Sequence, residues 1–363
     1  MENSLLFSKY HLGILELKNR IVMAPMTRSR ALGNIPNDLI ATYYGQRASA
    51  GLIITEGVSP SPNGLGYSRI PGIFSEAQVE GWKKTTKAVH DRGGKIFMQF
   101  MHTGRMSHIL NLPKGAEVIA PSAIAAAGQM WTDQQGMQDL PVPRAMTPDD
   151  IITARKEYMK GAINAITAGF DGVELHGANG YLLEQFLSPR SNQRTDEYGG
   201  SIENRCRFVL EVVEAVGHAI GLDKTAIRLS PYGVGGGMSA YPEIDATYSY
   251  LATRLDSLGI LYVHLVDHSS MGAPAVPQSI KKTMHEKFRN TFILAGGFSK
   301  EIAEKDLLNG AADLISFGKP FISNPDLVER MLNGWPINTS WDVKTFYSAD
   351  EKGYTDYPVY TAS

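Results

Sequence analysis

Short apolar runs rich in Val, Ile and Leu recur along the chain, separated by longer segments in which apolar positions fall at helical spacing. Eight runs stand out: 20–25 (RIVMAP), 51–57 (GLIITEG), 95–101 (KIFMQFM), 172–177 (GVELHG), 225–231 (TAIRLSP), 261–267 (LYVHLVD), 291–297 (TFILAGG) and 314–320 (LISFGKP). Each is bounded by glycine, proline or charge and is too short for a helix. Near-continuous apolar runs suit strands buried on both faces, as in a parallel sheet covered by helices. The segments between them carry start and stop signals. Ser75-Glu76-Ala77-Gln78 spells a capping box, in which the serine accepts from an early backbone N–H and the glutamine reaches back; Gly93 and Gly94 end that helix. Thr147-Pro148 sets a cap before a first-turn proline, and Gly169 closes the segment. Ser299 and Asn324-Pro325 start two later helices, and 201–221 and 241–259 complete the alternation.

Eight βα units over this length predict an α/β fold of the (β/α)8 barrel type, one domain spanning 1–363; an open doubly wound sheet is the alternative. Two features favour the barrel. No crossover is missing, and the polar and glycine residues of each run cluster at its C-terminal end, the face where barrels keep their active sites. Residues 5–17 (LLFSKYHLGILEL) read as a hairpin plugging the opposite end. Residues 103–147, rich in Gly, Pro, Gln and Ala, read as a loop or subdomain inserted after the third strand.

Composition narrows the class of partner. The chain of 363 residues is 43% hydrophobic and 20% charged, enough to bury a large core, and its net charge of -2 comes without any Lys/Arg-rich block. Nothing draws it to nucleic acid or to anionic lipid, so a small molecule is the expected partner. No apolar stretch approaches the roughly 18 residues that span a bilayer, and the polar start lacks a secretory pattern, so a cytoplasmic protein is expected. The single cysteine, Cys206, reads as a small buried hydrophobe in a helix.

The strand ends then read as chemistry. They offer Pro25-Met26-Thr27, Gly57, Gln99 with Met101, His176 with Asn179 and Tyr181, Arg228, Asp267-His268, Ala295-Gly296-Gly297 and Gly318-Lys319. The seventh and eighth strands of such barrels often hold phosphate on loop N–H groups, and Gly296, Gly297 and Lys319 suit that role. Arg228 in a barrel mouth needs an anionic partner, either a ligand or a core carboxylate such as Glu56 or Glu174. Gln99 can both donate to and accept from a flat amide-like edge. His176, His268 and Asp267 together admit a second class, a metal-dependent barrel hydrolase or aldolase, and a non-enzymatic sugar-phosphate binder is a third. The motif 235–240 (GGGMSA) lacks the βαβ context of a dinucleotide fingerprint and reads as a flexible loop.

At these residues the chain resembles the Old Yellow Enzyme family of FMN-dependent ene-reductases. The resemblance runs almost end to end, through 19–31 (NRIVMAPMTRSRA), 51–57, 99–105 (QFMHTGR), 176–205 (HGANGYLLEQFLSPRSNQRTDEYGGSIENR), 317–327 (FGKPFISNPDL) and 353–358 (GYTDYP). It implies non-covalent FMN, with NADPH or NADH as hydride donor and activated alkenes and nitro compounds as acceptors. It places Pro25, Met26, Thr27, Gly57, Gln99 and Arg228 on the flavin ring and Gly296, Gly297, Gly318 and Lys319 on the phosphate. His176 and Asn179 would hold the substrate oxygen, Tyr181 would donate a proton, and Tyr67, Met101 and Tyr354 would complete the substrate pocket. Lys319 stands where most members have Arg, and Met101 where many have Trp. Thr27 sides with the threonine branch.

Overall fold

In the computed structural model, which describes residues 4–362, the eight apolar runs become strands β1 (Ile21–Met23), β2 (Leu52–Val58), β3 (Ile96–Phe100), β4 (Gly172–Gly177), β5 (Thr225–Leu229), β6 (Tyr262–Val266), β7 (Thr291–Ala295) and β8 (Leu314–Phe317). They form one closed ring in which each strand is parallel to its neighbours, with β8 paired to β1 and β3 to β4. Closure rules out the open doubly wound sheet. The main helices that cover the strands are α1 (Asp38–Gln46), α2 (Glu76–His90), α3 (Pro148–Thr167), α4 (Ile202–Ile220), α5 (Ile244–Leu258), α6 (Gln278–Lys287), α7 (Lys300–Leu308) and α8 (Leu327–Asn333).

The expected caps are largely present. Ser75 Oγ accepts from the Gln78 N–H while the Gln78 side chain accepts from the Ser75 N–H, and Thr147 and Asp150 repeat the arrangement ahead of α3. Ser201 and Ser299 cap α4 and α7. Asn324 differs from expectation. Its amide donates to the carbonyls of Pro320 and Asn338, tying two loop segments together, and α8 begins only at Leu327 with Asp326 before it. Helix α1 buries Ile40, Ala41, Tyr43, Tyr44 and Gly45 and exposes Asp38 and Thr42, while α6 buries only Ile280 and Met284.

Because side chains alternate along a strand, the barrel interior is built in levels. Val22, Leu52, Phe97, Ala226, Tyr262, Ile293 and Leu314 form an apolar level at the N-terminal end, with Leu12 and Leu17 packed into it. Those two leucines come from an antiparallel hairpin, Tyr10–Leu12 paired with Leu15–Leu17, which is the expected plug. Two residues further along β3, β5 and β6 the same face carries Gln99, Arg228 and His264, all buried. The third level is the mouth.

The segment after β3 holds a short parallel pair, Ile119–Ala120 with Arg144–Ala145, and an antiparallel hairpin, Gln129–Thr132 with Gly136–Asp139. The hairpin leans on the rim: the Trp131 carbonyl accepts from Asn111 and Ser68, and Asp133 pairs with Arg69. The 235–240 stretch is a turn around Gly235–Gly237, as expected of a loop. Cys206 is buried within α4, and burial pushes its thiol up to about 12. Among the described residues no helix is long and apolar enough to cross a membrane.

Candidate active site

A cavity of about 550 Å³ opens at the C-terminal mouth, where the sequence placed the chemistry. Pro25, Met26, Thr27, Gly57, Gln99, Met101, His176, Asn179, Tyr181, Arg228, Gly296, Gly297, Gly318 and Lys319 all line it. Tyr67 and Tyr354 do not.

The floor is polar and unusually short of partners. Gln99 Nε2 donates to Glu174 Oε1 at 2.8 Å, which leaves the amide oxygen free to face a ligand. Arg228 is buried, and its Nε has no hydrogen-bond partner in the protein. Neither carboxylate considered for it closes an ion pair. Glu56 instead accepts from the Arg28 and Ser29 N–H groups, and Glu174 hydrogen-bonds to Gln99 and His264. A buried guanidinium keeps its proton at any working pH, so it stands ready for an anionic edge.

One wall is the backbone of Pro25-Met26-Thr27. It is pinned at one end by the Ala24 N–H to Phe317 carbonyl bond at 2.9 Å and at the other by the Arg28 N–H to Glu56. Opposite, the structure explains Gly57. A side chain there would fall 2.6 Å from Met101 Sδ, so the glycine makes room for Met101 to line the mouth. Beyond β7, Gly296 and Gly297 have φ of 151° and 73°, and a Cβ on Gly297 would lie 2.5 Å from Ser270. These backbone groups carry no side chain to keep an anion away. Gly318 precedes the short helix Lys319–Ser323, with Lys319 exposed at the rim.

The second corner is built from the loop after β4. Asn179 sits at φ 59°, an uncommon conformation for a non-glycine residue, and a buried network holds it there. The Asn179 N–H donates to Ser230 Oγ at 2.9 Å. Glu184 accepts from Ser230, from Tyr248 and from the Gly180 N–H at 2.9, 2.9 and 2.6 Å. Burial raises the Glu184 carboxyl to about 7. Asn179 Nδ2 lies 3.5 Å from His176 Nε2, too far for a strong bond, so the two groups stand side by side. His176 Nδ1 and Asn179 Oδ1 lack partners. Burial, and then the charge of Arg228, hold the imidazole well below its ordinary value, so it is neutral. Tyr181 packs edge-on to the His176 ring with centroids 4.9 Å apart, and its hydroxyl lies 3.1 Å from that of Tyr67. Burial, and then Tyr67, raise the Tyr181 phenol well above 10, so it carries its proton at neutral pH.

Tyr67 therefore touches the site through Tyr181 and does not line it. Tyr354 requires a correction. It is fully buried, stacked on Tyr43 at 4.1 Å with the Arg30 guanidinium 4.5 Å from its ring, so it belongs to the packing under the C-terminal segment. The aromatic residues that this segment does bring to the mouth are Trp341, Phe346 and Tyr347, with Phe298 from the loop after β7. None had a local signal. The segment is drawn over the barrel by Arg28 and Arg30, which donate to the carbonyls of Phe346, Thr345 and Gly353.

The metal-site alternative does not assemble. The Asp267 carboxylate is taken by Lys281 at 2.7 Å and by the Ser269 and Val276 N–H groups. Among the described residues no group of three or more His, Cys, Asp and Glu could hold a metal ion.

Taken together, an amide and a guanidinium on the floor, a glycine cradle with a lysine at one end, and a neutral donor pair beside a phenol at the other define a class: a barrel that holds a flat, phosphorylated redox cofactor such as FMN next to a small acceptor. The comparisons with known proteins agree. Residues 5–338 match the NADH:flavin oxidoreductase / NADH oxidase family. The chain is 40% identical to 12-oxophytodienoate reductase 7 of Oryza sativa subsp. japonica, over 97% of this chain and 94% of that protein. It is 41% identical to a probable flavin mononucleotide-dependent alkene reductase of Leishmania infantum, over 94% of each. Morphinone reductase in complex with tetrahydroNAD superposes with a TM-score of 0.93 at 42% identity, covering 99% of this chain and 98% of that one. The chain belongs to the NADH:flavin oxidoreductase / NADH oxidase family, that of the Old Yellow Enzymes, and is an FMN-dependent oxidoreductase.

Proposed function

We propose that the protein reduces the carbon–carbon double bond of small activated alkenes, α,β-unsaturated carbonyl compounds first and nitro compounds second, using NADPH or NADH. The observation that carries this is the corner where His176, Asn179 and Tyr181 meet the cavity beside Gln99 and Arg228. The alkene and 12-oxophytodienoate reductases among its relatives support the same reading. The chemistry FMN would supply when bound, without a covalent link, is transfer of a hydride, two electrons with one proton, from the nicotinamide to the β-carbon of the alkene.

The chain's own residues do the rest. Pro25, Met26 and Thr27 offer backbone and hydroxyl groups to the ring, Gln99 its free amide oxygen and Arg228 its charge. Gly296, Gly297, Gly318 and Lys319 hold the phosphate, the lysine as a point charge where an arginine would grip as a fork. As negative charge builds on the carbonyl oxygen of the acceptor, His176 in its Nε2–H tautomer and the Asn179 amide present two N–H groups side by side. Donors fixed in advance stabilise developing charge without having to reorganise. Tyr181 then delivers a proton to the α-carbon, as its raised pKa allows. Met101, Trp341 and Tyr347 bound the space for the acceptor. One mouth serves donor and acceptor in turn, so turnover is ping-pong. A cytoplasmic setting goes with a sole, buried thiol.

The test is direct. The purified protein should be yellow, release FMN on denaturation, bleach with NADPH or NADH without oxygen, and recover its colour with a cyclic enone. A colourless protein, or a reduced one that no enone reoxidises, would sink the reading.

A further inference from the structure

In the polar level between the apolar plug and the mouth, Gln99 and Arg228 face the cavity, while two other members, Glu174 and His264, have no role in the chemistry above. Glu174 and His264 are both fully buried, with His264 Nδ1 2.9 Å from Glu174 Oε2. The other carboxylate oxygen, Oε1, takes the Gln99 amide at 2.8 Å. Gln99 and Glu174 face each other across β3 and β4, while Arg228 lies beside His264 across β5 and β6. The hydrogen bonds thus run in one chain from His264 through Glu174 to Gln99, and only its last member reaches the cavity.

We propose that Glu174, oriented by His264, is a positioning residue that fixes the Gln99 amide with its oxygen toward the flavin and offsets the charge of Arg228, so that the pair sets the reduction potential of bound FMN. The inference rests on the FMN reading given above.

An amide can be flipped unless its neighbours decide, and a carboxylate accepts only. The carboxylate of Glu174 therefore commits Gln99 Nε2 downward. The carboxylate is itself oriented because His264 Nδ1 must donate to it; His264 Nε2 has no partner, which suits a neutral ring with its proton on Nδ1. Burial holds His264 below its ordinary pKa, in keeping with a neutral ring, and against the effect of burial the hydrogen bonds from His264 and Gln99 and the charge of Arg228 hold Glu174 below its own. The pair thus carries one negative charge.

Two-electron reduction of a flavin leaves an anionic ring at neutral pH, and Arg228 favours that form. In a buried site a single charge nearby is screened far less than in water. Glu174 opposes the gain by cancelling part of the Arg228 field, so the reduced cofactor is bound less tightly than the guanidinium alone would dictate. A potential kept low in this way lets the reduced enzyme hand electrons on to an alkene.

Glu174→Gln is the discriminating variant. It keeps shape and can still accept from Gln99 but removes the charge. Its affinity for reduced relative to oxidised FMN should rise about tenfold, a shift of about 30 mV for a two-electron couple, read by spectroelectrochemical titration. His264→Gln, which retains a donor and leaves the carboxylate charged, should move that ratio less than about twofold. If Glu174→Gln binds FMN at wild-type stoichiometry and its potential is unchanged, the proposal is wrong. Should that variant fail to fold, ¹⁵N NMR of histidines in the wild-type holoenzyme decides instead. A neutral, Nδ1-protonated His264 supports the relay, and an imidazolium or an Nε2–H ring there overturns it. A wild-type protein without flavin would overturn the FMN reading itself, and this proposal with it.

Discussion

The two ends of the barrel use the same strands and differ in how completely their side chains are satisfied. At the closed end, Leu12 and Leu17 seal a cluster that is apolar save for the Tyr262 hydroxyl. At the open end His176 Nδ1, Asn179 Oδ1, Arg228 Nε and Ser316 Oγ are buried without partners. Each such atom typically costs about 1–3 kcal/mol, a cost that the closed end carries at that one hydroxyl alone. Stability is therefore concentrated at the plug and binding capacity at the mouth, and substitutions at the two ends should produce separable effects.

The largest effect is expected at the mouth. Tyr181→Phe should leave reduction of the flavin by NADPH or NADH nearly intact and slow enone reduction by roughly 10²- to 10⁴-fold, because only the second half-reaction needs a proton at the α-carbon. Nitro compounds, whose oxygens can be protonated from water, should tolerate the change better. Stopped-flow measurement of each half-reaction checks this; equal slowing of both would remove Tyr181 from the role of acid.

At the closed end, Leu12→Ala should cost about 2–5 kcal/mol of stability in urea unfolding, as truncation of a buried leucine does. The rate per bound flavin should stay at the wild-type value. A variant that unfolds at the wild-type urea concentration would show that the hairpin merely rests on the barrel.

The third prediction separates the groups around the mouth by pH. Glu184 is raised to about 7, against about 4.5 for an ordinary glutamate, so between those values the folded protein holds a proton that the unfolded chain has lost. The group's contribution to stability is thus fully present below the ordinary value and is lost as pH rises toward 7. A histidine with a lowered pKa acts in the opposite sense: His268, half-buried and held down to about 4, favours the folded state more as pH rises toward its ordinary value. The whole-protein profile mixes the two, so the difference between wild type and Glu184→Gln is the quantity to measure. That difference should shrink by on the order of 1–3 kcal/mol between about pH 5 and about pH 8. A flat difference would mean that the carboxyl is already ionised at pH 5.

The sequence made the barrel legible because each strand is a local apolar run and most helices begin at a local cap. The site was legible for a related reason: a barrel delivers every strand end to one mouth, so His176, Arg228 and Gly296 are brought together by topology without further detail. What escaped depends on long-range contacts. Tyr347 and Tyr354 lie seven positions apart on one segment, yet one lines the mouth and the other is buried against Tyr43. Their facing is decided by Arg28 and Arg30, more than 300 residues earlier in the chain, gripping the carbonyls of that segment. The Glu174–His264 pair was equally hidden, since an acid and an imidazole 90 residues apart meet only when β4 and β6 share one interior.

The smallest effect is expected where mouth and packing overlap, at Met101. Its side chain is 1% exposed, touches the cavity, and occupies the space left by Gly57. It also packs with Leu65 and Ile70. A thioether can adapt its shape, whereas an indole cannot, and the Gly57 side of the pocket has no spare volume. In Met101→Trp the ring must therefore turn into the cavity, on the side bounded by Tyr181. FMN content should not change, because Gln99, Arg228 and the glycine cradle lie elsewhere. Small enones should react within about twofold of wild type, while 2- and 3-substituted cyclic enones should shift in relative rate or enantiomeric ratio by roughly three- to tenfold, the scale of about 1 kcal/mol at a pocket wall. Chiral chromatography of the products gives the readout. Unchanged ratios across several substituted enones, with a stably folded variant, would place Met101 in the packing beneath the site and off its surface.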